Sequence, residues 1–164
     1  MSGIKARLRF LWQTGEQARM VMAASRLLGR IPLLGRPLSI MADNVLLYLY
    51  GMEATSSSIT VNDLVIGHST GVVLGGNGIR CTGKLHIASG VVFARRYDGD
   101  RPEPEWFFDI DGDCFIGANS VLLGPLKIKG PVVIGALSLV SKDITEPGTY
   151  IGQPARRFER HPGG

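Results

Sequence analysis

Histidine and cysteine are scarce in this 164-residue chain, which holds three of the first and two of the second. Cys81 and Cys114 stand in no metal-binding or redox spacing, so a thiolate zinc centre and a disulfide framework are both excluded; two small buried thiols in a reducing, cytoplasmic setting are expected. A three-imidazole zinc site would have to recruit His68, His86 and His161 together, and no metal is expected. No stretch is apolar enough to span a membrane, because Arg, Gln and Glu interrupt residues 3–28 and Asp43 and Asn44 interrupt residues 31–52. No short apolar core leads to a small-residue cleavage site, which excludes a signal peptide. The LGGNG run at 74–78 lacks the strand-to-helix setting and the Lys-Ser/Thr pair of a phosphate loop. Acid is scarce at the amino end, where residues 1–40 set Lys5, Arg7, Arg9, Arg19, Arg26, Arg30 and Arg36 against Glu16 alone. The net charge of +4 is modest, and no nucleic-acid partner is expected.

What the chain does have is a period. Between Ile110 and Ile151 a branched aliphatic residue returns at every sixth position: Ile116, Leu122, Ile128, Ile134 and Val140. Neither 3.6 nor 2 explains that spacing, so the unit is a hexapeptide, and three units make a triangular coil of about 18 residues stacked at roughly the spacing of paired strands. Two places before each aliphatic residue comes a second inward residue: Cys114, Ser120, Leu126, Val132 and Ser138. Gly117, Gly135, Asn119, Pro125 and Pro131 suit corners that need unusual or fixed φ. A parallel β-helix follows, its hand undetermined by these residues. The period begins loosely at Ile59 and Val65, slips near Gly71, and runs strictly through Val73, Ile79, Leu85 and Val91. It breaks over residues 94–109, whose charges and prolines require an extruded loop.

At 45% apolar content the length suits one continuous core. Residues 1–52 form a helical segment, 53–151 the β-helix and 152–164 an exit segment. Ile4, Leu8, Leu11 and Trp12, then Val21, Met22, Leu27 and Leu28, recur at helical intervals with a break expected near Gly15. Such a helix caps the solenoid or packs on a neighbouring subunit; its basic face offers the alternative of peripheral contact with an anionic inner-membrane surface. Residues 31–52 form a second helix after Pro32 and Pro37, and its dense apolar face predicts burial.

IGHSTGVVLGG at 66–76, with IGANSVLLGPLKIKGPVVIGALSLVSKDITEPGTYIGQPARRF near the carboxy end, resembles the hexapeptide-repeat acyltransferases, above all serine acetyltransferases and their relatives that acetylate sugars and polysaccharides. The resemblance covers roughly residues 30–158. It implies an all-β solenoid, a left-handed parallel β-helix with a helical lead-in, a homotrimer with active sites between subunits, and acetyl-CoA as co-substrate. It also implies His68 as general base, oriented by a carboxylate fifteen residues upstream, which is Glu53. Coenzyme A would lie along Ala118, Ala136, Lys142, Pro154, Ala155, Arg156 and Arg157. Arg95, Arg96, Arg101 and Trp106 of the loop are the candidate acceptor contacts.

Two departures bear on the acceptor. Serine acetyltransferases carry a second histidine in the loop, where this chain offers Arg101 and none, and they carry a longer helical amino-terminal domain. The expected activity is therefore O-acetylation of a sugar or glycan-precursor hydroxyl, with serine or another small hydroxy compound as the alternative. A non-catalytic trimeric scaffold is the reading from another class.

Overall fold

A computed structural model describes residues 14–75, 78–96 and 104–159. Helix α1 (Thr14–Leu28) and helix α2 (Gly35–Tyr50) form a hairpin ahead of thirteen short strands. The strands build three parallel faces of a left-handed β-helix. The first face stacks β1 (Glu53–Ala54), β3 (Val73–Leu74), β5 (Val92–Arg95), β8 (Val121–Gly124) and β11 (Leu139–Val140). Strands β2 (Ile59–Ile66) and β4 (Ile79–Ile87) each bend across the other two faces. The first part of β4 pairs with β6 (Phe108–Asp111), which pairs with β9 (Leu126–Lys129), to make the second face. Its last part pairs with β7 (Cys114–Ile116), followed by β10 (Val132–Ile134) and β12 (Gly148–Ile151), to make the third. An antiparallel strand, β13 (Arg156–Arg157), closes that face.

The hexad residues fill the prism as expected. Ile79, Leu85, Val91, Ile116, Leu122, Ile128, Ile134 and Val140 are all buried, as are Cys114, Ser120, Leu126, Val132 and Ser138 two places earlier. The two buried serines stitch the turns: Ser120 Oγ donates to Gly135 O at 2.9 Å and accepts from Ser138 N, and Ser138 Oγ accepts from Gly152 N. Each buried hydroxyl is therefore satisfied.

The coil length is less uniform than the period predicts. From Cys114 to its partner Val132 it is 18 residues, but Ile59 pairs with Ile79 and Val132 with Gly148. In the early coils the inward phase accordingly moves: Val65 and Val73 are half-buried, and Leu64, Ile66, Val72 and Leu74 fill the core instead. A bulge between β2 and β4 at Val61/Asp63 shifts Val65, and the seven-residue step from Val72 to Ile79 shifts Val73. Gly117 and Gly135 do not supply the left-handed corners either; Asn119 (φ 57°) and Leu137 (φ 60°) do. The loop is also narrower than expected, since Ala94 and Arg95 belong to β5 and Asp109 to β6. Phe107 and Phe108 turn into the core.

Helix α1 begins at Thr14, and the expected break near Gly15 falls at the limit of the described residues; a Cβ on Gly15 would fall 1.8 Å from Ile66 O, so the helix seats directly on β2. Ile4 to Trp12 lie outside the described residues. Ser25 Oγ bonds Ser39 O at 3.1 Å, and Arg26 Nε bonds Ser56 O at 3.0 Å. The predicted burial of the second helix is overturned: within this chain only Gly35 and Leu46 of α2 are buried, because a single face of the hairpin meets α1 and the first coil. Among the described residues no helix is long and apolar enough to cross a membrane.

Candidate functional site

His68 sits at the corner where the third face turns into the first, between β2 and β3, and it is exposed. The sequence folds into a corner there because Gly67-His68-Ser69-Thr70-Gly71 is short and polar, with Gly71 at φ 71°. Ser69 is buried and donates to Tyr50 O at 3.1 Å, while Gly71 N donates to Gly51 O at 2.8 Å. Those bonds lay the corner directly over the start of β1, where Glu53 is exposed and pairs with Val73. Glu53 thus lies on the rung next to that of His68, in register with Val73, five residues past the histidine. Neither side chain makes a hydrogen bond or ion pair to another described residue, so both are free to receive a ligand.

Beyond His68 the same corner repeats in small residues. Ala88-Ser89-Gly90, Gly117-Ala118-Asn119 and Gly135-Ala136-Leu137 follow in column, joined by Gly90 N to Thr70 O at 3.0 Å, Asn119 N to Ser89 O at 2.9 Å and Leu137 N to Ala118 O at 2.9 Å. The chain exit continues it: Gln153 Nε2 bonds Leu137 O, and Ala155 N bonds Leu139 O, both at 2.8 Å. His68, Ala118, Ala136, Pro154 and Ala155 therefore share one edge of the prism. Arg156 and Arg157 fold back onto the third face, where Arg157 pairs with Glu146 at 2.8 Å.

The remaining expected residues gather on a different corner. Arg95 ends β5 and stacks on Phe107 at 5.8 Å; Arg96 donates to Ser141 O; Trp106 packs against Gly78. Lys142 follows Ser141 on that same edge, between the first and second faces. Arg101 and His161 lie outside the described residues. Among the described residues of one chain, Arg95, Arg96 and Trp106 are not brought to His68.

One residue was passed over by the sequence reading. His86 points outward from β4, as alternation with buried Leu85 requires, and its ring lies 4.7 Å from Phe115. A Cβ added to Gly67 would stand 3.6 Å from His86 Nε2, so the ring reaches the residue preceding His68. His86 also lines a groove of about 570 Å³ on the third face, with Lys84, Phe115, Val133, Pro147 and Thr149. The groove's signal in the sequence was the outward alternation of His86, Phe115 and Val133; their stacking needed the register. Among the described residues no His, Cys, Asp and Glu cluster forms a metal cradle.

No protein-family model matches the chain. It is 35% identical over 69 residues, 42% of its length, to the bifunctional protein GlmU of Aquifex aeolicus, of which it spans 14%. It superposes on Neisseria gonorrhoeae serine acetyltransferase with a TM-score of 0.70 and 28% identity, covering 94% of this chain and 57% of that one. Soybean serine acetyltransferase complexed with serine gives a TM-score of 0.70 at 25% identity, over 89% of this chain and 58% of that one. The chain thus spans less than two thirds of these proteins. In its repeat, its three-faced prism and these likenesses, the chain is similar to the hexapeptide-repeat acyltransferases.

Proposed function

We propose that the chain is an acetyl-CoA-dependent O-acetyltransferase with His68 as general base. The observation that carries this is an exposed, unengaged imidazole at the head of a column of small residues on one prism edge. His68 takes the proton of an acceptor hydroxyl as its oxygen attacks the thioester carbonyl. The tetrahedral intermediate collapses, the C–S bond breaks, and the departing thiolate receives that proton from the imidazolium. Glu53 fixes the tautomer and steadies the imidazolium, closing on His68 when substrates bind. The pantetheine arm lies against Ala118 and Ala136, where the missing bulk lets it approach the backbone, and Pro154 and Ala155 guide it at the exit. Arg156, at the exit of that edge, supplies a cation for the nucleotide phosphates, and Arg157 can join it by releasing Glu146, whereas Lys142 lies on another edge of the same chain.

The working unit is a homotrimer joined through the third face, where Phe115 and Val133 expose 41% and 43% of their surface in register on a flat sheet. That assembly seats His86 and the His68 corner at a subunit boundary, and Arg95, Arg96, Arg101 and Trp106 remain candidate acceptor contacts from the loop.

Serine is the first acceptor to test, since solved structures similar to this chain include a serine acetyltransferase in complex with serine at 29% identity. A sugar or glycan-precursor hydroxyl is the second, favoured by the absence of histidine between residues 94 and 109. The experiment is thiol release from acetyl-CoA with serine, nucleotide sugars and polysaccharide fragments, using the wild type and His68→Ala. Turnover with one acceptor class and its loss in His68→Ala, with the oligomer intact, is expected. Equal turnover in the variant removes His68 from the mechanism, and failure of calorimetry to detect coenzyme A binding favours a scaffold.

A further inference from the structure

The tip of the α1–α2 hairpin reads Arg30-Ile31-Pro32-Leu33-Leu34-Gly35-Arg36, and nothing in the solenoid covers it. Ile31, Leu33 and Leu34 expose 45%, 100% and 63% of their surface. Leu33 also holds φ at 67°, in the left-handed region that costs an ordinary L side chain energy. A leucine held in that conformation with its whole side chain in water adds nothing to the core of this chain. The apolar surface continues along α2 through Ile40, Met41, Tyr48 and Leu49, all at least half exposed. Ile40 and Met41 lie two helical turns from Leu47 and Tyr48, so they form one stripe.

The charge around this surface has one sign. Arg30 and Arg36 bracket the tip, are exposed, and make no ion pair or side-chain hydrogen bond among the described residues. The sole acid between residues 17 and 52 is Asp43. Its carboxylate is turned away, accepting from Ser56 N at 3.1 Å and Ser56 Oγ at 2.5 Å. A two-fold contact between copies would set these arginines against their own counterparts. An anionic lipid surface satisfies both the apolar tip and the cations, with an aromatic residue, Tyr48, at headgroup depth.

We propose that the hairpin tip and the outer face of α2 dock on an anionic phospholipid bilayer, with Ile31, Leu33 and Leu34 entering the acyl boundary and Arg30 and Arg36 meeting headgroup phosphates. The test is co-sedimentation of the full chain with vesicles of phosphatidylcholine alone or mixed with phosphatidylglycerol. Binding to the mixed vesicles, weakened by salt and absent for phosphatidylcholine alone, is expected. The Leu33→Gly/Leu34→Ser pair should lower partition by about tenfold or more. Glycine suits φ 67°, so the variant's Tm should not fall below the wild type's. Arg30→Gln/Arg36→Gln should remove most of the salt-sensitive part. The proposal is overturned by absence of binding to either vesicle or by variants that sediment like the wild type. It is equally overturned if the leucine pair changes the oligomeric state without lipid, which would mark the tip as a protein contact.

Discussion

Gly117 is required for its missing Cβ. A methyl group there would stand 2.5 Å from Ala136 N, which is backbone and cannot step aside. Gly117→Ala should therefore destabilise the protein by about 1–3 kcal/mol, as overpacking does, measured by denaturant unfolding. Cys114 gives a pH dependence of known sign. Burial, with Cys81 adding to it, pushes its thiol up to about 12, whereas an unfolded thiol titrates near 8.5. The native state keeps the proton that the unfolded state has lost, so stability present below about pH 8.5 declines as pH rises toward 12. Thermal unfolding across that alkaline range should show a steeper fall in Tm for wild type than for Cys114→Ala. His86 belongs to this scale as well. Its place beside the His68 corner depends on which residue stacks under Gly67, and no spacing along the chain states that.

The elements were legible where the coil is regular and illegible where it is not. From Ile79 onward the hexad positions are the core, but at Val65 and Val73 the inward phase is wrong by one residue. A slip of one residue exchanges the two sides of a strand, so the bulge between β2 and β4 and the seven-residue step from Val72 to Ile79 are enough to hide the first coils. The loop was read from charge, yet Trp106, Phe107 and Phe108 at its end belong to packed structure, where aromatic bulk outweighs neighbouring acids. The helical hairpin is fastened to the solenoid by few polar contacts, and Asp43 makes two of them, both to Ser56. Asp43→Ala leaves the buried Ser56 hydroxyl without its partner and should weaken hairpin docking by about 1–3 kcal/mol. Hydrogen exchange should then quicken in α1 and α2 while β7 and β10 keep their protection.

For the whole molecule, the fold was legible from one periodic stretch, whereas the proposed base rests on one short motif and the proposed trimer on resemblance. The third face makes that assembly testable. Phe115→Glu places a charge in the exposed ladder beside Val133, and sedimentation should find the proposed trimer dissociated, with acetyl transfer lost alongside. Stacking also has a consequence for how such a protein can change. Leu85 pairs with Cys114, 29 residues on, in the same register that joins Cys114 to Val132 over 18. The surplus falls between β5 and β6, and the β4–β7 and β7–β10 registers continue on either side of it. Because each rung answers only to its neighbours, that segment behaves as a cassette slot, whose contents can be lengthened, shortened or exchanged while the base on the opposite edge keeps its position. Under the proposed role of the loop residues, exchanging the contents of that slot should change acceptor preference without renegotiating the fold.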